Sequence, residues 1–285
     1  MNDSDLIRVI SFNLKRDFGF AFNHSHRWME RRALAAQFIR DSGATIIGVQ
    51  ELLPSMREDV RSLLSGYSIL GFGRFSGRKP KNDEHSDIIV KNEDAKVNLC
   101  KTFWLSKNPE QLSRAYYAVF PRICTVAEVY VKNVGCTIRV FNTHLDHVCG
   151  FARTLGIKVI LDYMEKYNQE SPMPTVLMGD FNCKPNSRPV RMLRERISEY
   201  YPDLHLTDVY QSFDPASLSN TLHNFSGKVK PGACPIDYIF VSDDFEVIDS
   251  RIFTDPIDGR YPSDHYPLLA TLRLKKKPRD NSQTA

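Results

Sequence analysis

Residues Cys124–Asn142 read CTVAEVYVKNVGCTIRVFN. Two strand-like runs, Cys124–Val131 and Cys136–Asn142, flank Lys132-Asn133-Val134-Gly135, and this pattern predicts a hairpin. Just beyond it, Gly150–Tyr167 carries Ile157, Ile160, Leu161 and Met164 at the spacing of one helical face. Thr175–Gly179 (TVLMG) then follows as a short buried strand. The chain thus joins strands by a turn and through a helix within one stretch. That mixture argues for an α+β layered fold over a regular strand–helix alternation.

Working outward, Leu6–Asn13 (LIRVISFN) is apolar on both faces, as a buried strand requires. Met29–Ser42 reads as a helix with Met29, Ala33, Ala36 and Ile39 or Phe38 inward, and Gly43 is its expected stop. Thr45–Gln50, Ser86–Lys91, Ile236–Val241 and Pro267–Leu274 are further predicted strands, and Asn186–Ile197 a further helix. Gly71–Glu84 (GFGRFSGRKPKNDE) reads as a flexible basic loop, and 275–285 as a flexible basic tail. There is no internal repeat and no low-complexity linker.

The chain has 285 residues, 42% of them apolar and 25% charged, which excludes collagen-like and disordered classes. Its 38 basic and 34 acidic side chains leave a net charge of +4, which permits an anionic partner without requiring one. No apolar stretch is long enough to span a membrane. The acidic, polar Met1–Asp5 lacks the form of a secretory signal, so a cytoplasmic location is expected. Six scattered cysteines, without a CxxC pair, are expected to be reduced and buried rather than zinc-bound.

Polar, metal-capable residues recur beside the ends of the apolar strands. Asn13 closes LIRVISFN, Glu51 closes TIIGVQE, His144 follows IRVFNT, Asp180 and Asn182 follow TVLMG, and Asp264-His265 precede the last strand. Layered folds gather sites at strand ends. Each residue has an ordinary alternative: a turn bond for Asn13, an arginine pair for Glu51, a structural role for His144 or His147, and an Asx turn for Asp180 and Asn182. If extended geometry continues through Gly179-Asp180-Phe181-Asn182, Asp180 and Asn182 point the same way and can share a cation, a water or a phosphate oxygen. The donors are mostly hard oxygens, which suit Mg²⁺ or Mn²⁺ over zinc, with Glu51 the best candidate carboxylate.

In order, SFN, VQE, NTHLDH, GDFN, IDYIFVS and PSDHYPL resemble the endonuclease/exonuclease/phosphatase superfamily, from Ile7 to Leu274. Thr102–Pro109 (TFWLSKNP) and Phe120–Thr125 (FPRICT) resemble a bacterial subgroup similar to deadenylase-type phosphodiesterases. The resemblance implies one domain over 6–274, a four-layer α/β/β/α sandwich of two mixed sheets, and Mg²⁺-dependent cleavage of phosphate esters. It implies that Glu51 binds the metal with Asn13 close by, and that Asp264 completes the metal's surroundings. Asp180 would orient or deprotonate water, and Asn182 would place the phosphate or a second metal. His144 would donate to a phosphate oxygen or assist the leaving group. Asp237 would orient His265, which would stabilise charge at phosphorus. Arg122 would clamp phosphate through its fork.

One departure is Lys15, which stands where the abasic-site repair branch carries an acid. Thr221–Phe225 (TLHNF) departs from the Thr-Phe-His-Gly-Phe pattern of close relatives. Phe103, Trp104 and Phe225 are candidates to stack on a substrate base, but core packing is the more ordinary reading of all three, and the apolar run around Trp104 favours it there. Phe18–Phe22 (FGFAF) is expected near the site as a wall, a lid or packing. The leading expectation is a monomeric metal-dependent phosphodiesterase or nuclease acting on a phosphate ester, with nucleic acid a possible partner. The alternatives are a hydrolase of small or lipid phosphate esters, and a non-catalytic binding protein.

Overall fold

Strand β1 (Leu6–Asn13) has two unlike faces. Ile7 and Val9 pack in the core between two sheets, whereas Ile10 and Phe12 pack under helices α1 (Trp28–Asp41) and α2 (Pro54–Leu63). By the same alternation, Ser11 and Asn13 belong to the face turned toward the other sheet. The computed structural model describes residues 5–213, 218–230 and 232–276. The expected tail from Lys277 onward lies outside them.

The first sheet has six strands in the order β11-β12-β1-β2-β4-β3. They are Phe245–Ile252, Leu268–Leu274, Leu6–Asn13, Ile46–Gln50, Ile88–Lys91 and Tyr67–Leu70. The second sheet runs β5-β6-β7-β8-β10-β9. These strands are Ala95–Trp104, Ile123–Val131, Cys136–His144, Thr175–Asp180, Asp237–Ser242 and Leu206–Asp208. Each sheet contains a parallel pair joined through a helix: β1 and β2 through α1, and β7 and β8 through α3 (Gly150–Glu170). Helices α3 and α4 (Arg188–Glu195) contribute Ile157, Ile160, Leu161, Val190 and Leu193 to the core of the second sheet. A short α5 (Ile197–Tyr200) follows α4. The result is the expected four-layer sandwich, with the C-terminal ends of both parallel pairs on one side.

The sheets meet through a buried polar tie as well as apolar packing. Asn142 Nδ2 donates to the carbonyls of Val49 and Asp87, and Gln50 Nε2 donates to Asn142 Oδ1 at 2.7 Å. A Cβ on Gly48 would stand 2.6 Å from Asn142 Oδ1, so this tie requires glycine in β2.

The predicted hairpin and central strands form with small shifts at their ends. Met29 and Ala33 are the exceptions on α1: both are exposed, and Trp28, Arg31, Leu34 and Ala35 turn inward instead, with Ala36, Phe38 and Ile39. The cysteines are free, as expected, but only Cys124 and Cys183 are buried, while Cys234 is exposed. Gly71–Glu84 is not the detached loop that its composition suggests. Arg78, Lys79 and Lys81 are exposed, but Arg74, Asp83 and Glu84 are buried. Asp83 accepts from the backbone N–H groups of Phe75 and Gly77, which folds the loop back on itself.

Candidate active site

Three neighbouring strand ends place the core of the site. Asp180 ends β8, pairs with His144 across β7–β8, and pairs with Asp237 across β10–β8. This closeness depends on Gly179, whose φ is +147° and where a Cβ would collide with the Thr143 carbonyl. From the first sheet, Asn13 pairs with Gln50 at the end of the parallel β1–β2 ladder, and Glu51 follows directly. Asn13 Nδ2 donates to Glu51 Oε1 at 3.1 Å and to Asp180 Oδ2 at 3.0 Å, tying the two sheets' carboxylates through one amide. Glu51 lies in the left-handed region (φ +60°), and its Oε2 accepts from the Arg16 backbone N–H at 2.8 Å.

Both histidines approach Asp180 Oδ2. His144 Nε2 lies 3.6 Å from it and His265 Nε2 lies 3.9 Å from it. His265 Nδ1 is hydrogen-bonded to Asp237 Oδ2 at 2.9 Å. Burial alone would lower the His265 pKa, but the Asp237 carboxylate, helped by Asp180 and Asp264, raises it to about 10. His265 is therefore an imidazolium at neutral pH that donates through Nδ1 and aims Nε2–H toward Asp180. Burial, and then the Asp237 charge, push the Asp180 carboxyl above its ordinary value.

Sequence reasoning missed Glu84. Its Oε1 lies 3.0 Å from Arg74 Nη1 and 3.4 Å from His144 Nδ1, and its Oε2 lies 3.2 Å from Arg16 Nη1. Burial works against its charge, yet His144, Arg74 and Arg122 together hold its carboxyl well below the usual range. A signal was present: Glu84 precedes an apolar strand, as Asp264 does. Thr221 was also unassigned. Its Oγ1 accepts from the Ile236 and Asp237 backbone N–H groups, while its carbonyl accepts from Tyr266 N. Together with the bridge between Leu222 and His265, TLHNF straps Asp237 and His265 into place.

Four expectations are corrected. The strand does not continue to Asn182, which lies at φ +49°; its N–H donates to Asp180 Oδ1 and its Nδ2 to the Leu145 carbonyl. Asn182 closes an Asx turn at Asp180, so its side chain is aimed by that turn and by the Leu145 carbonyl, not by strand alternation. Arg122 presents no open fork: Nη2 donates to His147 Nδ1 at 2.9 Å, and the buried guanidinium lies 3.7 Å from Glu84 and from Asp146. Asp264 is held by Lys15 Nζ at 3.0 Å and lies outside both groups of residues able to share an ion. Trp104, 8% exposed, donates its indole N–H to the Arg74 carbonyl, and the fully buried Phe103 stacks on Tyr163. Both pack the interior, whereas Phe225 borders a trough beside the site.

Two such groups exist among the described residues: Glu51, His144 and Asp180, and Asp180, Asp237 and His265. Within each, ligand atoms lie within 4.8 Å of one another. Three carboxylates, Glu51, Asp180 and Asp237, converge here, and Asp237 Oδ1 is buried without a hydrogen-bond partner. That excess of hard oxygen donors and negative charge fits a divalent cation.

The sequence profile of the Endonuclease/Exonuclease/phosphatase family matches residues 10–265. The chain belongs to this family. As a member it is a hydrolase of phosphoric esters. A family protein from Bacteroides thetaiotaomicron is 29% identical, with a TM-score of 0.84 and 95% of each chain covered. The mannosyl-6-phosphatase Bt3783 of the same organism is also 29% identical, with a TM-score of 0.83 over 93% of this chain and 99% of that one. The human Nocturnin catalytic domain with bound sulfate, 19% identical, shares the fold at a TM-score of 0.72 over 95% of each chain. No curated protein matches the sequence. Among the described residues, no helix is long and apolar enough to cross a membrane.

Proposed function

We propose that this chain is a Mg²⁺-dependent phosphatase of small polar phosphate esters, with residues 6–274 acting as one catalytic domain. The observation that carries the chemistry is the convergence of Glu51, Asp180, His144 and the Asp237–His265 pair at facing strand ends. Glu51, with Asp180 beside it, would hold the cation, which when bound supplies charge neutralisation to the phosphate, and the Asn13 amide orients both carboxylates. Asp180, buried and raised in pKa, accepts the proton of an attacking water. Asn13 fixes that carboxylate through Oδ2 and the Asn182 N–H fixes it through Oδ1, so its orientation does not depend on substrate. His265, kept cationic by Asp237, donates Nε2–H to a non-bridging oxygen as charge builds there. His144, backed by Glu84, donates to a second oxygen or to the leaving group.

The small-ester reading is supported by how the cations around the centre are used. Lys15, Arg16, Arg74 and Arg122 pair with Asp264, Glu84 and Asp146. A polynucleotide backbone needs several uncommitted cations in a row. The 29% identity to a mannosyl-6-phosphatase points the same way. The exposed Arg78, Lys79 and Lys81 favour a second reading, a nuclease. The discriminating experiment measures phosphate release from sugar and glycerol phosphates, beside a denaturing gel of end-labelled RNA and DNA, all with Mg²⁺ and with wild type and Asp180→Asn. Phosphate release lost in the variant supports the proposal. A strand ladder without phosphate release replaces it with the nuclease.

A further inference from the structure

The segment Phe18–Phe22 leaves three large rings in solvent: Phe18 is 65%, Phe20 64% and Phe22 100% exposed. Isolated exposed rings are ordinary, but these three share one concave feature. They line a trough of about 410 Å³ together with Lys15, Arg16, His26, Asn224, Phe225 and Asp264. Its inner end abuts the catalytic centre, because the Arg16 N–H donates to Glu51 and Ser263 Oγ, beside Asp264, donates to the Asn13 carbonyl. The trough therefore runs from charged groups at the centre to aromatic rings outside.

The wall is built at a conformational cost. Asn224 and Phe225 both lie in the left-handed region, at φ +52° and +59°, where a bulky side chain is uncommon. Phe225 is held there by His26, stacked on it at 4.1 Å, and by Arg31, whose guanidinium carbon lies 5.3 Å from the ring centroid. Arg31 itself is buried and donates to the carbonyls of Leu14, Lys15, His26 and Pro262, so wall and centre share one rigid anchor. Arg16 and Lys15 lie over Phe18 at 4.8 and 5.7 Å, which fixes the inner ring. Phe20 and Phe22 stand edge to face at 5.1 Å at the mouth.

We propose that this trough is the subsite for the organic part of the ester, and that it selects a phosphate ester whose alcohol carries a ring. The assignment rests on the phosphatase reading above and adds the substrate class. A phosphate ester has the matching polarity, with a dianionic head for the centre and a carbon framework trailing outward. A pyranose or a nucleoside offers a flat face for aromatic contact, and an acyclic alcohol of similar polarity does not. The concave shape favours a small ring over a flat lipid surface.

The test is steady-state hydrolysis of glucose 6-phosphate, AMP and glycerol 1-phosphate with Mg²⁺, using wild type and the double variant Phe20→Ala/Phe22→Ala. One ring-bearing ester is expected to have a KM about tenfold below glycerol phosphate in wild type. The double variant is expected to raise that KM about tenfold, with kcat changed less than about twofold and glycerol phosphate unaffected. Which ring ester responds separates sugar from nucleoside. Equal KM values in wild type, or equal effects of the variant on ring and acyclic esters, overturn the subsite and leave the phosphatase reading intact. In parallel, NMR titration with methyl glucoside and adenosine reads the trough without chemistry. Shifts at His26 and Asn224 without turnover of any ester would retain the trough and defeat the phosphatase reading. Neither shifts nor turnover would defeat both. Vesicle binding that depends on Phe20 and Phe22, without ring preference, would replace the subsite with a membrane contact.

Discussion

Two histidines reach the same Asp180 oxygen, and the two regions that hold them are built differently. On its far side from Asp180, His265 is held through Nδ1 by Asp237, at 2.9 Å, on a strand adjacent to β8. His144 has Glu84 at 3.4 Å, and that carboxylate also serves Arg74, Arg16 and Arg122. A carboxylate with a single partner gives its histidine both orientation and charge. A carboxylate shared with guanidiniums has much of its field already compensated, so it acts mainly as an anchor. The Asp237 side therefore supplies a fixed cation, whereas the Glu84 carboxylate mainly anchors the guanidiniums packed behind His144.

The largest expected effect removes what the two regions share. Asp180→Asn should lower turnover by about 10²–10⁴-fold while the thermal midpoint holds or rises, since a buried carboxylate beside Asp237 is lost. Phosphate release and calorimetry check it, and retained turnover would end the view that both histidines serve one centre.

Next, Asp237→Asn should cost about 10–100-fold in kcat, more than Glu84→Gln. It also sharpens the charge argument through pH. The folded pKa of His265, about 10, exceeds the ordinary 6.5, so the folded state holds its proton more tightly. That stability is fully present below about 6.5 and is lost as pH rises toward 10. Thermal melts of metal-free protein should fall across that window in wild type and flatten in Asp237→Asn. A slope that persists would assign the titration elsewhere.

Glu84→Gln should reduce kcat by about tenfold or less, but destabilise the fold by about 3–5 kcal/mol, because buried Arg74 loses its counter-charge. Urea unfolding measures this, and a variant as stable as wild type would contradict the anchor role. Trp104→Phe should be the mildest, with about 1 kcal/mol lost with its bond to the Arg74 carbonyl and KM unchanged.

The two regions also differ in how far they could be read from sequence. Asn13, Glu51, His144, Asp180 and Asp237 stand at or directly beyond the ends of apolar runs, so strand periodicity brings them together. Glu84 sits at the end of a Gly-, Lys- and Arg-rich segment whose composition says solvent, and only the fold turns it inward. The pairing of Lys15 with Asp264 has no local signature, because the two are remote in sequence and meet through strand order. Asn182 misled for a different reason. Alternation presumes extended backbone, and the Asx turn at Asp180 ends it. Residue type alone offers Trp104 as a stacking surface, whereas the apolar run around it points to the interior packing that the structure shows. In the fold, the buried faces of the strands were legible, while α2, with its two buried residues Met56 and Val60, and the short strand β9 were too brief to stand out.

The most direct test of the central claim is a Mg²⁺ titration of phosphate release from glucose 6-phosphate after chelation, with wild type and Glu51→Gln side by side. The predicted result is saturable Mg²⁺ dependence in wild type and a midpoint moved at least about tenfold higher in the variant. A rate independent of Mg²⁺, or the same midpoint in both proteins, would contradict it.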